Sequence, residues 1–143
     1  MTEQVGLTQL VGSWRLVSLD VTYADTKERI ELYGPHPAGY MVLSPNGRII
    51  FLFTRADRTP PQTDADRATL FSAMTAYSGR VRIEAADRFV ITVDLAWEPS
   101  WTGEQIRYFT LEGDRLKIRT PAQIHPQTGG RQFVGDLVWE RET

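Results

Sequence analysis

Short runs rich in Val, Ile, Phe, Tyr and Trp recur along the chain, each closed by turn-forming residues. That rhythm predicts an antiparallel all-β protein. The runs are VGSWRLVSLDVTY (11–23), GYMVLS (39–44), RIIFLFT (48–54), YSGRVRIEA (77–85), RFVITVDLAW (88–97), GEQIRYFTLE (103–112), RLKIRT (115–120) and QFVGDLVWERE (132–142), eight strands in all. A Pro- and Gly-punctuated loop ending LYGPHPAG separates the first two, and Pro45-Asn46-Gly47-Arg48 is the strongest hairpin signal. Eight sequential strands with short connections fit an up-and-down barrel, which leaves no open sheet edge. Such a barrel has room inside for packed side chains or one small ligand.

One segment departs from the two-residue rhythm. In TDADRATLFSAMTAY (63–77), Thr63 or Asp64 is placed to cap a helix, acids fill the first turn, and Leu70, Phe71, Met74 and Tyr77 recur at helical spacing. This predicts one inserted helix over about 63–76, packed on the barrel wall or lying as a lid across its mouth. The expectation is an all-β fold, an eight-stranded antiparallel up-and-down barrel forming a single domain over residues 1–143.

Tight turns carry the facing of one strand to the next, because directly opposed residues share a face. A two-residue turn at Gly113-Asp114 pairs Leu111 with Leu116, Phe109 with Ile118 and Arg107 with Thr120, so Arg107 faces inward. A four-residue loop Pro99-Ser100-Trp101-Thr102 pairs Asp94 with Arg107, and a turn at Ala86-Asp87 sets Thr92 opposite Val81 and Asp94 opposite Gly79. On this reading Asp94 and Arg107 form an ion pair on the inner wall, near Tyr77 and Thr92. The same reading sends Ile91, Val93, Leu95, Trp97 and Ile106 outward as an apolar stripe. That stripe needs a cover, either the inserted helix or a second subunit in a homodimer. A one-residue change in any turn reverses the faces.

An interior ion pair is a poor source of stability, since desolvation offsets much of its attraction. Its retention points to a site, with a pair that supports the barrel wall as the alternative. Arg107 offers a fork of donors suited to a ligand carboxylate or an enolate-like oxygen. Asp94 beside it is expected to stay ionised and to serve as base or anchor. Tyr77 and Thr92 add hydroxyls, and Ser18 and Asp20 share the parity of Trp14. Both faces of the Asn-Gly hairpin are apolar. Tyr40, Phe51 and Phe53 are favoured for the cavity over Met41, Ile50 and Leu52, because aromatic side chains suit a pocket. Phe109 completes the expected lining.

Composition narrows the functional classes. The chain is 41% hydrophobic and 24% charged with a formal net charge of −2, which argues against a nucleic-acid partner. Without cysteine there is no disulfide framework, thiol nucleophile or thiolate metal site. No run approaches the ~20 apolar residues of a membrane span, and MTEQVGLTQ lacks the character of a secretory signal. The expectation is a cytoplasmic protein with no membrane partner. No phosphate loop, nucleophile elbow or dinucleotide fingerprint is present, so no cofactor is expected. His36, between Pro35 and Pro37, and His125, before Pro126, read as surface loop residues near a barrel rim; no carboxylate stands at ligand spacing, so no metal is expected.

Gly12-Ser13-Trp14 on the first strand, with Arg141 at the end of the last, is similar to the lipocalin signature, in which the Trp closes the barrel floor and a late basic residue packs across it. The chain as a whole resembles the short lipocalin-like domain proteins of bacteria and fungi, through LVGSWRLVS, YGPHPAGYMVLSPNGR, YSGRVRIE, PSWTGEQIRYFTLEGDRLKIRT and LVWER in order. The resemblance implies a calycin-type barrel around a small, mostly apolar cavity. The leading functional expectation is binding of a small apolar or aromatic molecule, anchored by Arg107 and Asp94. A cofactor-independent isomerase, cyclase or hydrolase using the same pair is the alternative. An interaction module with a packed interior is the third reading.

Overall fold

The computed structural model describes residues 6–143. Strand β1 (Gly12–Tyr23) buries Trp14, Leu16, Leu19, Val21 and Tyr23. Its pairing with the last strand skips Val17, so one bulged residue moves the buried set from even to odd positions. Ser18 and Asp20 therefore lose the parity of Trp14, and Asp20 is bridged by Arg29 at 2.7 Å. Arg29 lies on a short strand, β2 (Arg29–Glu31), within the stretch expected to be loop; it pairs with Asp20–Thr22.

The other strands are β3 (Ala38–Leu43), β4 (Arg48–Thr54), β5 (Met74–Ala85), β6 (Arg88–Ala96), β7 (Gly103–Glu112), β8 (Arg115–Arg119) and β9 (Phe133–Arg141). Each pairs antiparallel with the next, and β9 returns to β1, closing an eight-stranded barrel. β2 runs beside β1 beyond the reach of β3.

Among the described residues two short α-helices accompany the strands: α1 (Leu7–Leu10) precedes β1, and α2 (Asp64–Ser72) lies between β4 and β5. Thr63 caps α2: its hydroxyl accepts the Asp66 N–H at 3.0 Å, and the Asp66 carboxylate accepts the Gln62 and Thr63 N–H groups. The helix stops at Ser72 because Met74–Tyr77 are drawn into pairing with Phe51–Thr54. No α2 residue is buried. Its contact with the barrel is local, through the Phe71 carbonyl, which accepts the Trp97 indole N–H at 2.9 Å.

One barrel end is a sealed floor. Trp14 is fully buried and donates its indole N–H to the Leu10 carbonyl at 3.0 Å. The Arg141 guanidinium lies 4.3 Å above the Trp14 ring and donates to the Val11 and Gln9 carbonyls at 2.9 and 2.7 Å. Gly12 begins the strand at a positive φ of 138°, so Gly12, Trp14 and Arg141, the residues named for the lipocalin signature, sit together at this end.

Three registers differ from the expected ones, each by an odd number of residues. The Asn-Gly hairpin pairs Leu43 with Ile49, so Gly47, at φ 89°, adds one residue to the turn. This places Met41, Phe51 and Phe53 inside and leaves Tyr40, Val42, Ile50 and Leu52 exposed. Between β5 and β6 a bulge at Glu84 sets Val81 opposite Ile91, and a second at Asp94 separates the Gly79–Val93 and Ser78–Leu95 pairs. Gly79 is needed there, because a Cβ would stand 2.4 Å from the Thr92 carbonyl oxygen. Between β6 and β7 the connection is longer than four residues, so Phe89, not Asp94, opposes Arg107.

The expected outer stripe accordingly dissolves. Ile91 is fully buried, Val93 packs against the core, and Trp97 is half-buried; Leu95 and Ile106 remain outside. The β7–β8 hairpin pairs Leu111 with Leu116 and Phe109 with Ile118, as its turn residues predict, and it carries the inward facing of Arg107.

The floor makes a stability prediction. Arg141→Ala removes the stacking cation and two donors to otherwise open backbone carbonyls, and should lower unfolding free energy by about 1–3 kcal/mol in urea titrations. Arg15→Ala, an exposed residue of the same type on β1, should change it by under about 0.5 kcal/mol.

Candidate functional site

Away from the Trp14 floor, inward side chains of β4, β5, β7, β8 and β9 leave a cavity of about 50 Å³. A single water needs about 10–15 Å³ of such space, so the void holds a few waters or a compact organic group. Its walls are mostly apolar, with Phe51, Phe53 and Leu137 among them. Phe51 stacks on Tyr77 with centroids 4.8 Å apart.

Arg107 is the charged exception. It is 5% exposed, and none of the side chains lining the cavity is acidic. Its guanidinium donates to the Ile106 carbonyl at 2.7 Å, and reaches the Gln123 and Gln105 amide oxygens only at 3.4 and 3.5 Å. Five N–H donors are available, so most are poorly used. Burial raises the Tyr77 phenol pKa, and the neighbouring Arg107 charge offsets part of that rise.

Two further donors on the same walls have no acceptor. The indole N–H groups of Trp101 and Trp139 are buried and unpartnered, and both residues line the cavity. Leaving such a donor unmade costs about 1–3 kcal/mol. Trp101 and Trp139 thus add two unpartnered donors to the residues that line the lumen.

At the rim, His125 is 5% exposed, contrary to its reading as a surface loop residue, whereas His36 is exposed as expected. His125 precedes a 3-10 turn at Pro126–Thr128, and its Nδ1 accepts the Gln127 N–H at 3.0 Å. That bond assigns the ring proton to Nε2, which lies 2.9 Å from Thr75 Oγ1 and 3.4 Å from Tyr33 Oη. Thr75 and Tyr33 oxygens are 3.2 Å apart. Burial pushes the His125 pKa down to about 4, partly countered by the Met74 carbonyl and Glu98. Burial likewise pushes Tyr33 up to about 12, against the Thr75 hydrogen bond and the Arg58 charge.

Trp97 stacks on His125 at 5.3 Å between centroids, and Trp101 meets it edge-on at 5.4 Å. Trp101 and His125 also border an outer groove of about 480 Å³ beside Phe71 and Ile124. The two rings thus partition the inner void from the outside.

The residues expected at the site divide cleanly. Arg107, Tyr77, Phe51 and Phe53 line the cavity. Phe109 is buried but packs on Phe89, with centroids 5.4 Å apart, outside the cavity lining. Tyr40 is half exposed on the outer face, and Thr92 is exposed there too, opposite Arg80. Asp94 is the bulged residue of β6 and also lies outside. Its carboxylate takes the Arg48 guanidinium at 2.5 Å and the Ser78 hydroxyl at 2.8 Å. Those partners hold its pKa below the usual carboxylate range. The internal Asp94–Arg107 pair does not exist, because the Glu84 bulge and the longer β6–β7 connection turn Asp94 away.

Sequence reasoning missed Tyr33, Thr75, Trp101, Gln123 and His125. Thr75 was placed in the helix, one residue beyond where β5 begins. The other four lie outside the strands, where no periodicity reports facing. The one available signal was His125-Pro126, a capping residue followed by proline at a turn start.

This is a closed antiparallel barrel with a sealed floor and a small interior void under its opposite rim. The lipocalin-like domain family matches residues 11–142, and the chain belongs to that family. Among solved structures it is similar to a redesigned beta barrel, 14% identical with 100% of both chains covered and a TM-score of 0.47. No curated protein matches the sequence. Among the described residues no helix is long and apolar enough to cross a membrane.

The buried imidazole predicts a pH effect. Between the unfolded value of 6.5 and the folded value of about 4, the unfolded chain binds a proton that the folded chain refuses. Stability therefore falls as pH drops through that window and levels off below it, a loss of about 3 kcal/mol. Urea titrations of wild type and His125→Gln from pH 7 to 4 check this: the variant should lose that part of the slope.

Proposed function

We propose that this barrel binds a compact organic acid in its lumen, with the carboxylate or a similarly delocalised oxyanion at Arg107 and the apolar body among Phe51, Phe53 and Tyr77. The observation that carries the reading is a buried guanidinium with no acidic neighbour in its cavity. Burying a lone cation is expensive unless something compensates it, and the orphan indole N–H groups of Trp101 and Trp139 call for acceptors in the same space. An anion supplies both. A planar carboxylate matches the fork of a guanidinium. Small-molecule binding is also what a lipocalin-like barrel is suited to.

The enzymatic alternative has less support. Proton abstraction needs a lone pair of suitable basicity at the reacting atom. The His125 Nδ1 is occupied by Gln127 and its Nε2 carries the proton, burial raises the Tyr77 pKa, and Asp94 lies outside. A binding protein needs none of these groups to titrate.

The test is Arg107→Met, which keeps the apolar stem and deletes the charge. Removing an uncompensated buried charge should leave the unliganded barrel as stable as wild type or more so. Carboxylic acids that raise the wild-type Tm in a thermal-shift screen should lose their effect, with at least about tenfold weaker binding by calorimetry. Asp94→Asn should retain wild-type binding. Acids that stabilise Arg107→Met as well as wild type, or a screen in which no acid shifts wild type, would overturn the proposal.

A further inference from the structure

The rim trio of Tyr33, Thr75 and His125 has a hydrogen count that does not close. His125 Nδ1 accepts from Gln127, so its Nε2 has a proton and no lone pair. Three donors then meet: the Nε2 proton and the Thr75 and Tyr33 hydroxyls. The Nε2 proton goes to Thr75, to Tyr33, or to the nearby Met74 carbonyl. The two hydroxyls share one hydrogen between them, since each contact takes a single proton. In every arrangement one hydroxyl hydrogen is left without an acceptor inside the trio. All three residues are buried, and all three line the cavity.

This surplus sits at a second place in the lumen, distinct from the Arg107 fork. Tyr77 is beside Arg107; its ring is 5.9 Å from that of Trp101, which is 5.4 Å from His125. One indole therefore spans the interval between the cation and the trio. The cation calls for a negative charge, whereas the trio offers a neutral donor.

We propose that the Tyr33–Thr75–His125 trio is a second, neutral recognition pole, and that the bound acid is bifunctional: a carboxylate at Arg107 with a carbonyl oxygen a few bonds away at the trio. This rests on the binding of an acid at Arg107 and goes beyond it by naming a second required group. Its class is the oxo acids. A ketone oxygen accepts and cannot donate, so it uses the surplus hydrogen without adding another.

The experiment compares straight-chain carboxylates from propionate to heptanoate with the oxo acids that carry a ketone on the penultimate carbon, by calorimetry on the full chain. In wild type, the affinity gain from the ketone should peak at one chain length, reaching about tenfold, because one spacing fits both poles. The double variant Tyr33→Phe with Thr75→Val should abolish that gain, with the parent acids still bound through Arg107, because the Nε2 proton then goes to the Met74 carbonyl and no hydroxyl hydrogen remains. Either substitution alone leaves the other residue's hydroxyl hydrogen free and should keep a ketone gain, which guards against a folding defect in the variants. Parent acids bound through Arg107 with no ketone preference at any length would overturn the second pole and leave the carboxylate site standing. A ketone preference that survives the double variant would also overturn it. If neither series binds, both readings fall together.

Discussion

Closure of the sheet between β1 and β9 is the constraint from which the rest follows. A sheet joined to itself has no free edge, so the phase of every strand is held by two neighbours. Inward and outward positions alternate around the whole ring, and a single extra residue exchanges them for everything downstream. The barrel uses that lever repeatedly. The Val17 bulge brings Leu19, Val21 and Tyr23 inside in place of Ser18, Asp20 and Thr22. The extra residue at Gly47 sets Met41 and Leu43, in place of Tyr40 and Val42, on the inner face with Phe51 and Phe53. The Glu84 bulge puts Phe89 and Ile91 in the core and Thr92 on the surface. Each re-phasing favours a larger apolar side chain inside, which is the direction the hydrophobic effect drives.

Against that apolar ring the two inner arginines make a contrast. Arg141 at the floor has the Trp14 ring, two backbone carbonyls and Asp114 around it. Arg107 at the other end has one short hydrogen bond, to the carbonyl of the preceding residue, and two long ones to amide oxygens. The same side chain is saturated where the fold needs a plug and underused where the fold leaves a void. Buried polar groups in native proteins are nearly always partnered. Of the four buried polar atoms without a partner among the described residues, two, the indole N–H groups of Trp101 and Trp139, belong to residues that line the cavity beside Arg107, and two, on Arg88 and Gln127, do not.

The fold was legible in the sequence because strand existence depends on local composition, and the runs of Val, Ile and aromatic residues were long enough to stand out. Facing was legible only where the turn was tight and regular. Gly113-Asp114 is such a turn, and it placed Arg107 inside. Bulges at Val17, Glu84 and Asp94 have no comparable signature, since no Gly or Pro occupies those positions; Gly79 opposite Asp94 was the nearest hint. The inner Asp94–Arg107 pair therefore failed on its carboxylate half alone. The rim residues were illegible for a different reason. Tyr33, Trp101 and His125 sit in connections, where burial is decided by what the loop folds over, and one sequence holds no period from which to infer it.

That division between strand and loop also separates two tasks in the lumen. Arg107, Phe51 and Tyr77 stand on strands hydrogen-bonded on both sides, so the cation and the apolar wall are held in place whatever the rim does. Trp101 and His125 stand on connections with few backbone partners, and local opening concentrates in such segments. The void of about 50 Å³ lies behind the Trp101 and His125 rings, which also border the outer groove. His125 suits that rim because its imidazole stays neutral well below neutral pH. If an anion binds as proposed, a charged ring there would compete with Arg107 for it, and a neutral one leaves Arg107 as the single cation of the cavity.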